Sequence, residues 1–175
     1  MGIGQKRGPP GYLKDYIPPL GWIGIGLKVK NLYDNGNNTW LGMNNVKGEW
    51  YIGYHGTKGM NGVSGIVQYG FRRGPRQACA FNINSNPLSR NAYPFCEDGV
   101  YLTPDIFEAK KYAGLITLGG YNYKVVFMCR INLEKVRIDQ FHIPEYWIVN
   151  GDQIGNPFGR KITDEVRPYR ILLLK

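Results

Sequence analysis

The sequence predicts an α+β fold built mainly from antiparallel strands, on three observations. Glycine (24) and proline (11) together make about a fifth of the 175 residues, which favours short strands and frequent turns over a helix bundle. Residues 123–131 (YKVVFMCRI) alternate with a period of two and set Val125, Phe127, Cys129 and Ile131 on one side. Helical patterning extends over only two short stretches, whereas strand-like runs recur along the chain. With 43% hydrophobic and 14% aromatic residues, this is the composition of a chain that folds, and the length suits one domain with a buried core.

Residues 1–22, with two Pro-Pro pairs and many glycines, are read as an irregular lead segment, ordered only through packing of Tyr12, Tyr16 and Trp22. Residues 23–175 then form a single domain. GWIGIGLKV at 21–29 has the look of a phosphate loop but lacks a third glycine and a following helix, so it reads as a glycine-interrupted strand. Asn35-Gly36 marks a turn between aromatic positions. Trp50–Tyr54 is a strand running into His55-Gly56-Thr57. A short helix follows over 64–69, with Ser64 as N-cap and Gly70 as the glycine just past its end. Residues 72–98 form a long loop carrying Arg72, Arg73 and Arg76.

Val100–Leu102 is a short strand. Thr103 is expected to cap a helix with Pro104 in its first turn and Asp105 near its positive end, and Ile106, Ala109, Tyr112 and Ala113 share one face. Beyond the alternating strand, 136–138, 146–149 and 166–174 are further strands, the last two separated by a long loop at 150–165. No internal repeat or second domain is visible.

Several function classes are excluded. No apolar run approaches the ~18 residues of a membrane span. No signal-peptide core follows Met1, and Lys6 occupies the Ser/Thr position of a myristoylation motif. An intracellular protein, cytoplasmic or nuclear, without membrane attachment and monomeric, is expected. Cys79, Cys96 and Cys129 are an odd number at wide spacing, which fits no disulfide framework. No CxxC or HxxxH pair exists and the only histidines are His55 and His142, the latter read as a surface residue, so no metal is expected. No GxSxG, HExxH, phosphate-loop or paired-carboxylate signature is present. Lys+Arg 22 against Asp+Glu 13 gives a net charge of +9, which favours an anionic partner: nucleic acid, a phospholipid surface or a phosphate-bearing ligand.

What remains is an ordered set of short segments. They are Tyr54-His55-Gly56-Thr57, Gly65–Phe71, Gly99-Val100-Tyr101, Ala109–Ala113, Glu145–Val149 and Val166–Leu172. In order, spacing and element type, including the 11-residue interval from Tyr101 to Tyr112, residues 50–174 resemble the catalytic domain of poly(ADP-ribose) polymerase-like ADP-ribosyltransferases, the His-Tyr-Glu type. The resemblance implies a split, mainly antiparallel β-core of two facing sheets with short flanking helices and NAD in the cleft between them.

It also implies roles. His55 would hydrogen-bond ribose hydroxyls of NAD, Gly56 would clamp the carboxamide with its backbone, and Thr57 would offer a hydroxyl to the nearby ribose. Tyr101 and Tyr112 would sandwich the nicotinamide. Arg72, Arg73 and Arg76 would neutralise the diphosphate. Ala109 stands where the family usually has a serine, so one polar anchor of the amide is missing. Glu145 is taken as the third triad residue, brought into the site by a one-residue shift such as a bulge; the alternative frame, counting back from Ile148-Val149 without a shift, places Tyr146 there. Glu165 is a more distant candidate. The expected activity is transfer of a single ADP-ribose to a protein acceptor with release of nicotinamide. The alternatives are an inactive binding module on the same fold, or a transferase acting on nucleic acid.

Overall fold

The structure, a computed structural model, describes residues 5–11, 13–16, 18–73, 99–139, 145–150 and 160–175. The expectations for Tyr12, Arg76, Cys79, Cys96, His142 and most of the 72–98 and 150–165 loops lie outside the described residues. In chain order the strands are β1 Gln5–Arg7, β2 Lys14–Tyr16, β3 Ile23–Gly26, β4 Tyr51–Gly56, β5 Arg72–Arg73, β6 Gly99–Leu102 and β7 Leu115–Leu118. They continue as β8 Tyr121–Ile131, β9 Arg137–Asp139, β10 Tyr146–Asn150, β11 Arg160–Lys161 and β12 Val166–Leu174. Helix α1 spans Gly59–Tyr69 and helix α2 spans Ile106–Tyr112.

The fold is α+β, and every ladder among the described residues is antiparallel. The larger sheet has the order β3-β12-β8-β4, with β7 also on β8. Long β8 carries two strands on one edge: β7 pairs with Tyr121–Lys124, and β4 takes over from Val126 to Ile131. A second sheet has the order β6-β10-β9.

The alternation of β8 divides the core as its sequence pattern predicts. Val125, Phe127, Cys129 and Ile131 pack with Val100 and Leu102 of β6 and Trp147 and Val149 of β10, so the two sheets face each other. Val126 and Met128, with Ile52 and Tyr54 of β4, pack instead under Ile106 and Ala109 of α2 and Ala113 just past its end. Cys129 is fully buried, and burial pushes its thiol well above the ordinary range. Pro168 lies in β12 ahead of the stretch that pairs with β3, which begins at Arg170, so it has only β8 as a ladder neighbour, the edge-like position a proline tolerates; the register on β8 shifts just after it, a bulge between Pro168 and Arg170.

Four expectations are corrected. The lead segment is not irregular throughout: β1 and β2 pair with Gln5 opposite Tyr16, and the Gly8–Gly11 cluster with its two prolines forms the connection between them. Helix α1 starts at Gly59, five residues before the expected N-cap; Ser64 is inside it, donating to the carbonyl of Met60 at 3.0 Å. Gly70 does end it, at φ +73°. Helix α2 is capped by Asp105, whose carboxylate accepts the N–H of Phe107 at 2.7 Å, because the backbone of Thr103 is committed to a bridge with Tyr54. Strand β7 was not anticipated; Gly119 and Gly120, both with positive φ, close a two-residue hairpin into β8.

The residues between β3 and β4 contain little regular structure and are held by two buried arginines that face each other across β8 and β12, Arg130 and Arg167. Arg130 donates to the carbonyls of Trp50 and Leu41, both at 2.8 Å. Arg167 meets the Asp34 carboxylate with two nitrogens at 2.6 and 2.7 Å and stacks within 4.2 Å of Trp50, 4.5 Å of Tyr33 and 4.9 Å of Trp40. Like charges opposite one another disfavour a sheet; here each guanidinium is taken up by its own set of acceptors.

Candidate functional site

A cavity of about 550 Å³ lies where β4 and β6 part. One backbone bridge, just past the end of β6, joins the two segments: the N–H of Tyr54 donates to the carbonyl of Thr103 at 2.8 Å and that of Thr103 returns to Tyr54 at 3.1 Å. Beyond this bridge β4 runs on to Gly56, and α1 and α2 complete the walls. Among the lining residues are His55, Gly56, Thr57, Tyr101, Ala109 and Tyr112, brought together from three separate segments of the chain.

His55 Nδ1 lies 2.9 Å from the carbonyl of Tyr101. A carbonyl only accepts, so Nδ1 carries the proton and Nε2 presents a lone pair. The ring packs edge-on against Phe71, with centroids 4.9 Å apart. Burial holds the imidazole below its ordinary pKa of 6.5, outweighing the opposing bond to Tyr101, so His55 is neutral. The sign of the resulting pH dependence follows. Below pH 6.5 the unfolded chain protonates this side chain while the folded chain resists, so its contribution to stability is intact above 6.5 and is lost as pH falls from there toward the lower folded value. Melting temperatures of wild type and His55→Gln between pH 7.5 and 5 test this: wild type should lose stability more steeply, and parallel curves would refute it.

Gly56 has a reason to be glycine that the sequence did not reveal. A Cβ there would lie 2.1 Å from the carbonyl oxygen of Ala109 and 2.9 Å from the N of Ala113, so it would strike α2 rather than a ligand. Its polar groups are still well placed. Tyr54 directs its N–H and C=O toward β6, and strand alternation turns those of Gly56, two residues on, to the same edge. Thr57 is buried against Gly62 of α1, where a Cβ would come within 2.5 Å of its hydroxyl, and its carbonyl accepts the N–H of Gly114 at 2.9 Å.

The expectation that Glu145 holds the third triad position is corrected: the alternative frame is the one the structure shows, with Tyr146 at the cavity and Glu145 away from it. β10 pairs with β6 in unbroken register from Trp147 opposite Leu102 to Asn150 opposite Gly99. No bulge intervenes, so Tyr146 shares a face with Ile148 and Tyr101. Glu145 is turned with Trp147, whose indole N–H donates to it at 2.8 Å, and it forms an ion pair with Lys14 of β2. Glu165 is buried in the turn before β12 and is also not among the cavity residues. The Tyr146 ring meets Tyr101 edge-on at 6.3 Å and Tyr112 at 6.4 Å.

The sequence reading missed Glu108. Only 8% exposed, it accepts the hydroxyl of Tyr146 at 2.7 Å and pairs with Lys111. The hydroxyls of Tyr146 and Tyr112 are 2.9 Å apart. Burial pushes the Glu108 carboxyl up, but its bonds from Lys111 and Tyr146 outweigh that and hold it below its ordinary range. The available signal was spacing: Glu108 precedes Tyr112 by four residues, which places both on one side of a helix. Burial also drives the Tyr146 phenol far above its ordinary pKa, with both partners adding to the effect, so it stays protonated. Lys58 and Asn61, at the start of α1, are further lining residues that were not anticipated.

Arg72 and Arg73 form β5, opposite Lys161 and Arg160 of β11, so four basic residues share one two-rung ladder next to Phe71. Among the described residues no group of three or more His, Cys, Asp or Glu is placed to hold a metal ion, and no helix is long and apolar enough to cross a membrane. A scan of protein-family models finds no match to this chain, and a search of curated proteins finds none either.

Proposed function

We propose that the chain is an NAD-dependent ADP-ribosyltransferase of the poly(ADP-ribose) polymerase-like type, with that family's split two-sheet core, transferring one ADP-ribose to a protein acceptor and releasing nicotinamide. The observation that carries this reading is convergence: six residues selected by the resemblance line one cavity, although the chain separates them by up to 57 positions, from His55 to Tyr112. The volume falls in the range of roughly 300–1,000 Å³ usual for small-molecule sites.

The residues support the chemistry in distinct ways. The Nε2 lone pair of His55 would accept a ribose hydroxyl. The N–H and C=O of Gly56 would pair with the carboxamide, and Tyr101 and Tyr112 would flank the planar ring. Lys58 offers a positive charge to the diphosphate. As the bond from ribose to nicotinamide breaks, its electron pair leaves with the nicotinamide and the sugar becomes cation-like. The acceptor then attacks the anomeric carbon and gives up its proton.

Nicotinamide release from NAD by wild type and His55→Ala is the direct test. The variant should lose about a hundredfold or more. A second reading, a binding module without turnover, is favoured by one observation: none of the described lining residues is a carboxylate, and Ala109 supplies no hydroxyl. A wild-type protein that releases no nicotinamide but melts higher with NAD or ADP-ribose would establish that reading instead.

A further inference from the structure

We infer that Glu108 acts through Tyr146 to make one wall of the cavity an obligate hydrogen-bond acceptor, so that the site takes a ligand presenting a donor hydroxyl to the Tyr146 oxygen. The inference rests on the transferase reading for the identity of that hydroxyl, which is then one of the ribose hydroxyls of NAD.

The argument is a proton count. A phenol has one proton. Tyr146 gives it to Glu108 at 2.7 Å, whereas the Tyr112 hydroxyl is 3.4 Å from the same oxygen, too far to compete for it. Glu108 is ionised, paired through its other oxygen with Lys111, and so can only accept. The Tyr112–Tyr146 contact at 2.9 Å therefore has Tyr112 as donor. With its proton committed, the Tyr146 oxygen can only accept from anything else that meets it. A carbonyl or an anion is rejected at this point and a hydroxyl is welcomed. The bond to a carboxylate also raises electron density on the phenol oxygen, and such charge-assisted bonds are about twice as strong as neutral ones. A carboxylate held outside the cavity thereby works inside it through a neutral side chain. Glu108 is in this sense a positioning residue: it sets the direction of the Tyr146 hydroxyl and does not line the cavity itself.

The test is a double-mutant cycle on nicotinamide release, with wild type, Glu108→Gln, Tyr146→Phe and the double variant, and melting temperatures to confirm folding. Each single change should lower kcat/KM roughly tenfold, and adding Glu108→Gln to Tyr146→Phe should cost nothing further. A spectroscopic signature accompanies it. The Tyr146 hydroxyl proton should appear downfield and exchange slowly in the proton NMR spectrum of the wild type, disappear in Tyr146→Phe and move upfield in Glu108→Gln.

Three results overturn the inference alone while leaving the transferase standing: full turnover in Glu108→Gln, an undiminished Glu108→Gln effect in the Tyr146→Phe background, or no such proton in wild type. A wild type that neither releases nicotinamide nor binds NAD by calorimetry overturns the transferase reading, and the assignment of the hydroxyl with it, even if the proton is seen.

Discussion

Gly56→Ala is expected to abolish nicotinamide release and to destabilise the fold by about 3 kcal/mol or more, as overpacking against an immovable neighbour does. The added methyl would lie 2.1 Å from the carbonyl oxygen of Ala109, 2.9 Å from the N of Ala113 and 3.0 Å from the carbonyl carbon of Tyr112. All three are backbone atoms, so no side chain can swing aside. Helix α2 must lift from β4, which withdraws Ala109 and Tyr112 from the cavity and Ile106 and Ala113 from the core beneath. Stability and activity should therefore fall together. Gly65→Ala is the contrast: its Cβ meets nothing within 4 Å and lies inside α1, so melting should rise, by up to about 1 kcal/mol in stability. A Gly56→Ala protein that melts with wild type and turns over NAD would mean that α2 does not pack on this glycine.

Arg167→Ala should cost about 3–5 kcal/mol, the range for emptying a large buried site, and lower the melting temperature by roughly 10 °C. The side chain is 2% exposed and is surrounded by Tyr33, Trp40, Trp50 and Asp34, so its loss leaves a cavity lined by aromatic rings. The ion pair with Asp34 is the smaller part. Asp34 is 44% exposed, and its hydrogen bonds from Arg167 hold its carboxyl below the ordinary range against mild desolvation. Asp34→Asn should therefore cost under about 1 kcal/mol. Calorimetry on both variants decides between stacking and charge: equal losses would mean that the ion pair, and not the aromatic packing, holds the segment.

These residues also mark how far the sequence could be read. Alternation made β8 legible: Val125–Ile131 is buried throughout, and successive side chains fall in turn into the two core clusters. Parity made Tyr146 legible as one of two frames; choosing between them needed the register of β10 on β6, which is a pairing between residues far apart in the chain. Helix α1 was half legible: its first turns hold Gly59, Asn61 and Gly62, which are poor helix formers, so tertiary packing rather than propensity sets its start. The hairpin of β7 carried a two-glycine signal that the short strand before it did not advertise. Glu108 offered only its spacing from Tyr112, and Arg167 offered no signal at all. A charged residue is ordinarily a solvated one, and only the fold reveals that Glu108 is covered by Tyr146 of β10 and Arg167 by the aromatic residues after β3.

The position of β12 has a consequence for how the chain reaches this fold during synthesis. β12 lies between β3 and β8 in the larger sheet, yet it is made after both. Until Leu174 has left the ribosome, β8 has one edge unpaired, β3 has no partner in that sheet, and Arg167 is not there to gather the aromatic residues after β3. At about 5–20 residues per second, an emerging chain spends several seconds with most of its strands made and that sheet open. This order of events makes the sheet a late, all-or-none closure dominated by distant contacts, the kind that folds slowly. In the meantime the nascent chain presents the unpaired edge of β8 that β12 later covers, a ready substrate for chaperones.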